Sequence, residues 1–205
     1  MTTFFSLYYF VSRLSWENVV IITISGAPGS GKSSVAQELA RRLGLKHYSI
    51  GDLRRRIARE RGMTLDQYNR LGETTDETDR EPDEYQARLG REEGDFVIDS
   101  RLGFHFIPHS FRVRLAVDPQ VGAQRIFRAQ RTEEQAERRY QSVEAVLRAN
   151  QARETSDRKR YQMYYGVVPE ENSHYDLVVD TSEKSIDEVV GVIIREVKHQ
   201  RAPGE

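Results

Sequence analysis

Gly26-Ala27-Pro28-Gly29-Ser30-Gly31-Lys32-Ser33 sits between a β-branched run, Val19 to Ser25, and a periodic stretch from Lys32 to Leu43. No other segment constrains the fold as strongly. The run before it suits a strand buried on both faces, as in a parallel sheet. In the stretch after it, Val35, Leu39 and Leu43 recur one helical turn apart with Ala36 and Ala40 beside them, an apolar helical stripe that Gly44 is placed to end. The glycines let the backbone turn tightly, so that consecutive N–H groups point inward at an anion, and the helix adds the positive end of its dipole. The spacing is that of G-x-x-x-x-G-K-[ST], in which the lysine reaches the outer phosphates of a nucleotide and the hydroxyl faces Mg²⁺. Gly26, Gly29, Ser30, Gly31, Lys32, Ser33 and Ser34 are therefore the expected ATP-binding residues, with Ser33 on the metal.

The rest of the chain alternates strands and helices. Further strands are expected at Lys46–Ile50, Phe96–Asp99, Phe111–Val117 and Leu177–Val179. Polar helices are expected over Asp52–Glu60 and the region 64–91. Two more fit the Gly- and Pro-free stretch 123–165, and one starts at Ser185, where Ser185 and Glu188 make a capping-box pattern. Strands alternating with helices give an α/β fold with a parallel sheet of five strands flanked by helices. Residues 19–200 are expected to make one domain, with 201–205 a tail; 1–18 reads as a non-core extension or the product of an upstream start, with a peripheral anchor or partner-binding segment as the alternative.

Composition excludes several classes. A net charge of −1 from 31 basic and 32 acidic residues argues against a bulk electrostatic partner such as nucleic acid or an anionic membrane. The absence of Cys removes thiolate catalysis, disulfides and Cys-based zinc sites, and fits a cytoplasmic setting. The apolar segment from Phe4 to Trp16 is shorter than the roughly 20 residues a membrane-spanning helix needs, and lacks a signal-peptide pattern. His47, His105, His109, His174 and His199 show no paired ligand spacing and read as structural or surface residues. Asp79 and Asp83 lie one helical turn apart and suit either solvent or contacts to an acceptor's amino or hydroxyl groups. Tyr161, Tyr164 and Tyr165 read as packing, and Glu133, Glu134, Glu137, Arg138 and Arg139 as solvated charges.

The phosphate loop, Gly51-Asp52-Leu53-Arg54-Arg55, Asp99-Ser100-Arg101 and the Arg-rich helices followed by Asp176-Leu177-Val178-Val179-Asp180 together resemble the cytidylate kinases, in their short archaeal-type branch among the P-loop nucleoside monophosphate kinases. The likeness runs in the same order from Val19 to about Val197. It implies phosphoryl transfer from ATP to CMP or dCMP with Mg²⁺, on a sheet carrying a monophosphate-binding part and a lid; a monomer is the expected state, though no residue pattern speaks to it. By the same resemblance, Arg55 and Arg101 contact the acceptor phosphate, and Asp99 orders water on Mg²⁺. Arg153, Asp157, Arg158 and Arg160 match the lid cluster, in which arginines contact transferring or acceptor phosphates and the aspartate lies near the acceptor sugar and base. Arg128 matches an arginine near the ATP end. The implied catalytic set is Lys32, Arg101, Arg153 and Arg158, and the implied monophosphate set is Arg55, Arg101, Asp157 and Arg160.

Elementary chemistry supports such a site. A phosphate monoester, with a second pKa of about 6, is already an anionic nucleophile at neutral pH. Catalysis then reduces to bringing two polyanions together and neutralising the moving charge, for which arginines are suited. Positions 153, 157 and 160 share one helix face. Two other readings fit the loop. A non-nucleotide alcohol acceptor, as in shikimate- or gluconate-type kinases, would need a carboxylate base, for which Asp52 is the candidate. A non-enzymatic nucleotide-sensing protein would instead use the Arg-rich helices to hold RNA.

Overall fold

The structure is a computed structural model that describes residues 20–130 and 140–199. The aromatic N-terminal segment, the tail and the charged cluster from Glu133 to Arg139 lie outside the described residues. The strands are β1 (Ile21–Gly26), β2 (Lys46–Ser49), β3 (Phe96–Asp99), β4 (Phe111–Ala116) and β5 (Leu177–Asp180), and all pair in parallel in the order β2-β3-β1-β4-β5. Around them lie α1 (Lys32–Leu43), α2 (Ile50–Glu60), α3 (Leu65–Leu71), α4 (Glu77–Glu92), α5 (Gly103–Phe106), α6 (Pro119–Ala129), α7 (Val143–Tyr165) and α8 (Ile186–His199). The five expected strands form within a residue or two of their expected limits. The expected α/β fold is the one observed.

Alternation along each strand divides the core between the two sheet faces. Ile22, Ile24, Val97, Val113 and Leu115 pack with Val35 and Leu39 of α1 and Val190 and Ile193 of α8. Ile21, Phe96 and Ile98 pack on the other face with Ile57 of α2, Tyr68 of α3 and Leu89 of α4. Each fully buried aliphatic side chain of this kind contributes about 1.5–3 kcal/mol.

Local chemistry sets the helix limits. Gly44 ends α1 in the left-handed conformation, at φ 67°, and its N–H reaches back to the carbonyls of Ala40 and Arg41. Ser185 and Glu188 close the expected capping box before α8, with the Ser185 hydroxyl 3.2 Å from the Glu188 N–H. Region 64–91 divides in two: Thr64 and Gln67 form a capping box on α3, and the chain turns after Leu71 before α4 begins. The helix expected within 123–165 starts earlier, at Pro119, because the Asp118 carboxylate caps the N–H groups of Gln120 and Val121.

Strand order fixes where a ligand can sit. From central β1 the chain builds β2 and β3 on one side, then β4 and β5 on the other. The carboxyl ends of β1 and β3 therefore open a crevice at the switch point. Among the described residues, no helix is long and apolar enough to cross a membrane.

Candidate active site

Backbone geometry builds one half of the crevice. Gly29 and Gly31 have φ of 78° and 85°, and the loop they shape leads into α1. A Cβ on Gly29 would lie 2.3 Å from the Gly122 carbonyl oxygen, so the loop rests directly on the first turn of α6. Ser30 closes the turn through its hydroxyl, 2.8 Å from the Ala27 carbonyl oxygen. The Thr181 hydroxyl, after β5, supports the loop from below at 3.2 Å from the Ser30 carbonyl oxygen. Arg125 of α6 holds that same turn, donating to the Thr181 carbonyl at 2.7 Å. Sequence reasoning missed Gly122, Arg125 and Thr181. A glycine inside the first turns of a capped helix was the available signal for the first.

Lys32 donates to the Ala27 carbonyl at 3.0 Å. Burial pushes its pKa down to about 7, and the charges of Arg101 and Arg153 push the same way against the opposing pull of Asp99 and Asp157. Arg153 also lies below the usual arginine range, from crowding by the protein and from the Arg101 charge. The residue as a whole is nevertheless exposed to solvent. Three cations from α1, the end of β3 and α7 thus crowd one space and repel one another. Such a cluster is chemically suited to anionic charge.

One carboxylate organises the cluster. Asp157 is buried and lies 2.5 Å from Arg101, and it also pairs with Arg160. Burial raises its pKa, but Arg101, Arg153, Arg160 and Arg54 outweigh that and hold the carboxyl below its ordinary value. Arg160, expected on the acceptor monophosphate, is engaged with carboxylates in this structure. It is only 1% exposed, its guanidinium is bound to Asp79 and Asp157, and it lies over the Tyr161 ring. In this structure it ties α7 to α4. Asp79 also receives Arg54 at 2.7 Å, and Arg54 reaches Asn69 at 2.9 Å and stacks on Tyr68. Sequence reasoning passed over Arg54 because its neighbour Arg55 carries the motif.

The remaining expected residues are more open. Arg55 folds back over the first turn of α2 beside Gly51 and pairs with Asp52. Asp52, the candidate base for an alcohol acceptor, is exposed and engaged by that arginine. Arg158 is exposed and lies 3.5 Å from Glu170, off the face that carries Arg153, Asp157 and Arg160. Arg128 is exposed in the last turn of α6, with Ser34 exposed near the start of α1. The structure therefore brings Lys32, Arg101, Arg153 and Asp157 together and leaves Arg158 apart.

Asp83 differs from Asp79. It is buried on α4 and bound to the Tyr165 hydroxyl and the Gln86 amide, the latter at 2.8 Å. Burial pushes its carboxyl up to about 7. Gln86 continues to the Ser100 hydroxyl at 2.7 Å, beside Arg101.

Ser33 and Asp99 fit a hard cation next to bound phosphates. The Ser33 hydroxyl lies 3.2 Å from one oxygen of the buried Asp99 carboxylate. Among the described residues there is no cluster of three or more His, Cys, Asp or Glu suited to a metal. Mg²⁺ needs none, since it is held by one or two protein oxygens with substrate phosphates and water.

Comparison with known proteins agrees with this geometry. The sequence model of the cytidylate kinase-like family matches residues 21–183. A protein of Methanopyrus kandleri named cytidylate kinase is 38% identical over 185 residues, covering 85% of this chain and 91% of that protein. An S-adenosylmethionine-dependent nucleotide dehydratase of Lacinutrix mariniflava is 34% identical over 88% of this chain, but the match spans only 36% of that larger protein. Among solved structures, shikimate kinase from Aquifex aeolicus superposes with a TM-score of 0.55 at 18% identity, covering 90% of this chain and 100% of that one, which is likeness of fold. Phosphate loop, sheet order and sequence agree: the chain is a P-loop kinase and belongs to the cytidylate kinase-like family.

Proposed function

We propose that the protein transfers the terminal phosphoryl group of ATP to CMP or dCMP. The observation that carries this reading is the convergence of Lys32, Arg101 and Arg153, whose mutual repulsion a second polyanion would relieve. The loop from Gly26 to Ser34 holds the ATP phosphates through its N–H groups, and Lys32 leaves the Ala27 carbonyl to reach the outer phosphates. Arg128, in the last turn of α6, is assigned to ATP. Arg101 and Arg55 take the acceptor phosphate, and Asp157 holds Arg101 oriented toward it. Arg153 neutralises charge on the phosphoryl group in flight. Bound at Ser33 and, through water, at Asp99, Mg²⁺ would neutralise the β- and γ-phosphate oxygens. The acceptor phosphate needs no base, in keeping with a site that offers arginines and leaves Asp52 on the surface.

Purified protein with ATP and Mg²⁺, assayed for ADP release across the common ribo- and deoxyribonucleoside monophosphates and shikimate, tests the reading. CMP and dCMP should stimulate release most. Stimulation by shikimate alone, or by no monophosphate, would remove it.

A further inference from the structure

Asp99 is held from three directions, and one of them involves a residue outside every motif that led to the site. His47, on β2, places its Nε2 2.8 Å from Asp99 Oδ2. The other carboxylate oxygen, Oδ1, accepts from the hydroxyls of Ser33 and Ser49, each at 3.2 Å. The sheet explains the convergence. β2 pairs in parallel with β3, with His47 opposite Val97 and Ser49 opposite Asp99, so residues 47, 49 and 99 lie on the same face. A carboxylate only accepts hydrogen bonds, so the His47 Nε2 bound to it carries the proton.

The three contacts are not equivalent once nucleotide arrives. In the functional reading above, on which this inference rests, Ser33 turns its oxygen to the metal and its hydrogen bond to Asp99 is loosened. His47 and Ser49 then remain to fix the carboxylate plane, and His47 makes the shorter contact. Partners of this kind orient metal-site carboxylates, and their loss typically costs about 10–100-fold in metal affinity or activity.

We propose that His47 is a positioning residue: its hydrogen bond to Asp99 Oδ2 sets the orientation in which that carboxylate organises the hydrated Mg²⁺ beside Ser33. His47 touches neither substrate nor metal in this scheme. Its side chain is partly exposed, at 24%, so its removal should disturb the core little.

The test compares His47→Gln, whose amide reaches where Nε2 stood, with His47→Asn, one bond too short, and His47→Ala. Mn²⁺ binding to the protein in the presence of a non-hydrolysable ATP analogue, followed by electron paramagnetic resonance, gives a readout independent of turnover. Metal-free binding of the analogue and the melting temperature serve as controls. The Ala and Asn variants should bind Mn²⁺ about 10-fold or more weakly. Metal-free analogue affinity should hold, and the Gln variant should stay within about 3-fold of wild type. Excess Mg²⁺ should recover much of the lost kcat in the Asn variant. Equal Mn²⁺ affinities in the Gln and Asn variants would overturn the proposal, whether or not the Ala variant folds. Wild-type protein that fails to bind Mn²⁺ with the analogue would overturn both this proposal and the functional reading beneath it. Wild-type binding with indifferent variants would overturn only the role of His47.

Discussion

The two halves of the crevice are built from different materials. The phosphate loop is backbone: eight consecutive residues whose glycines let N–H groups converge, resting on Gly122 and Thr181. The opposite wall is side chain: Arg54 from α2, Asp79 from α4, Arg101 after β3, and Arg153, Asp157 and Arg160 from α7, joined by charge. A backbone cradle is set by the conformation of its own residues. An arginine wall holds its shape only while each buried charge keeps its partner, because an unpaired buried charge is strongly destabilising. In the proposed reaction the first half would hold the donor and the second would take the acceptor.

Substitutions at the converging cations should produce the largest effects. Lys32→Ala, Arg101→Ala and Arg153→Ala should each lower kcat by about 10³-fold or more, as expected where charge on a transferring phosphoryl group loses a cation. The melting temperature of Arg153→Ala should barely move, because that residue is exposed. A fall below tenfold for Arg153→Ala, read in steady-state kinetics, would break the division between a cradle and a closing wall.

Asp79→Ala should act on stability instead. It strips Arg54 and the buried Arg160 of their shared partner, and should cost about 3–5 kcal/mol in denaturant unfolding. A smaller loss would mean that the wall is not held by its ion pairs.

The pH response of Asp83 sharpens the contrast between its two α4 acids. The folded protein keeps the Asp83 proton up to about pH 7, whereas the unfolded chain releases it near its ordinary value of 3.8. Folding therefore retains more protons in that window, and the stability contribution of this group falls as pH rises from about 4 through 7. Asp83→Asn removes the dependence. Its melting temperature should gain on wild type between pH 5 and pH 8, and a gap that stays constant would contradict the assignment. Arg158→Ala should do least, within about 3-fold in kcat/KM, since the residue is exposed and paired only across 3.5 Å with Glu170.

The same contrast explains what was legible in the sequence. The loop is contiguous, so eight residues carried its position, and α1 followed from one apolar stripe. β1 and β3 were readable as short apolar runs buried on both faces, and β4 from the alternation of Phe111, Val113 and Leu115 with Arg112 and Arg114. The wall was legible only in part. Arg101 and Arg153 come together beside Lys32, but Arg160 is folded under by Asp79, a residue 81 positions away in sequence. No local pattern shows that two α4 aspartates end in different surroundings, one between arginines and one against Tyr165. Four-residue α5 is too short to show a period. His47 was hidden for another reason: its partner Asp99 lies on the neighbouring strand, and a lone histidine in a strand has no spacing to betray it.

The most direct measurement is a crystal structure with a cytidine–adenosine pentaphosphate bridging both halves. Convergent cations on one wall, facing a backbone cradle on the other, predict the guanidinium groups of Arg101 and Arg153 within hydrogen-bonding distance, about 3 Å, of the bridging phosphates beside Lys32. Arg153 turned to solvent, with the phosphates held by the loop alone, would contradict that arrangement.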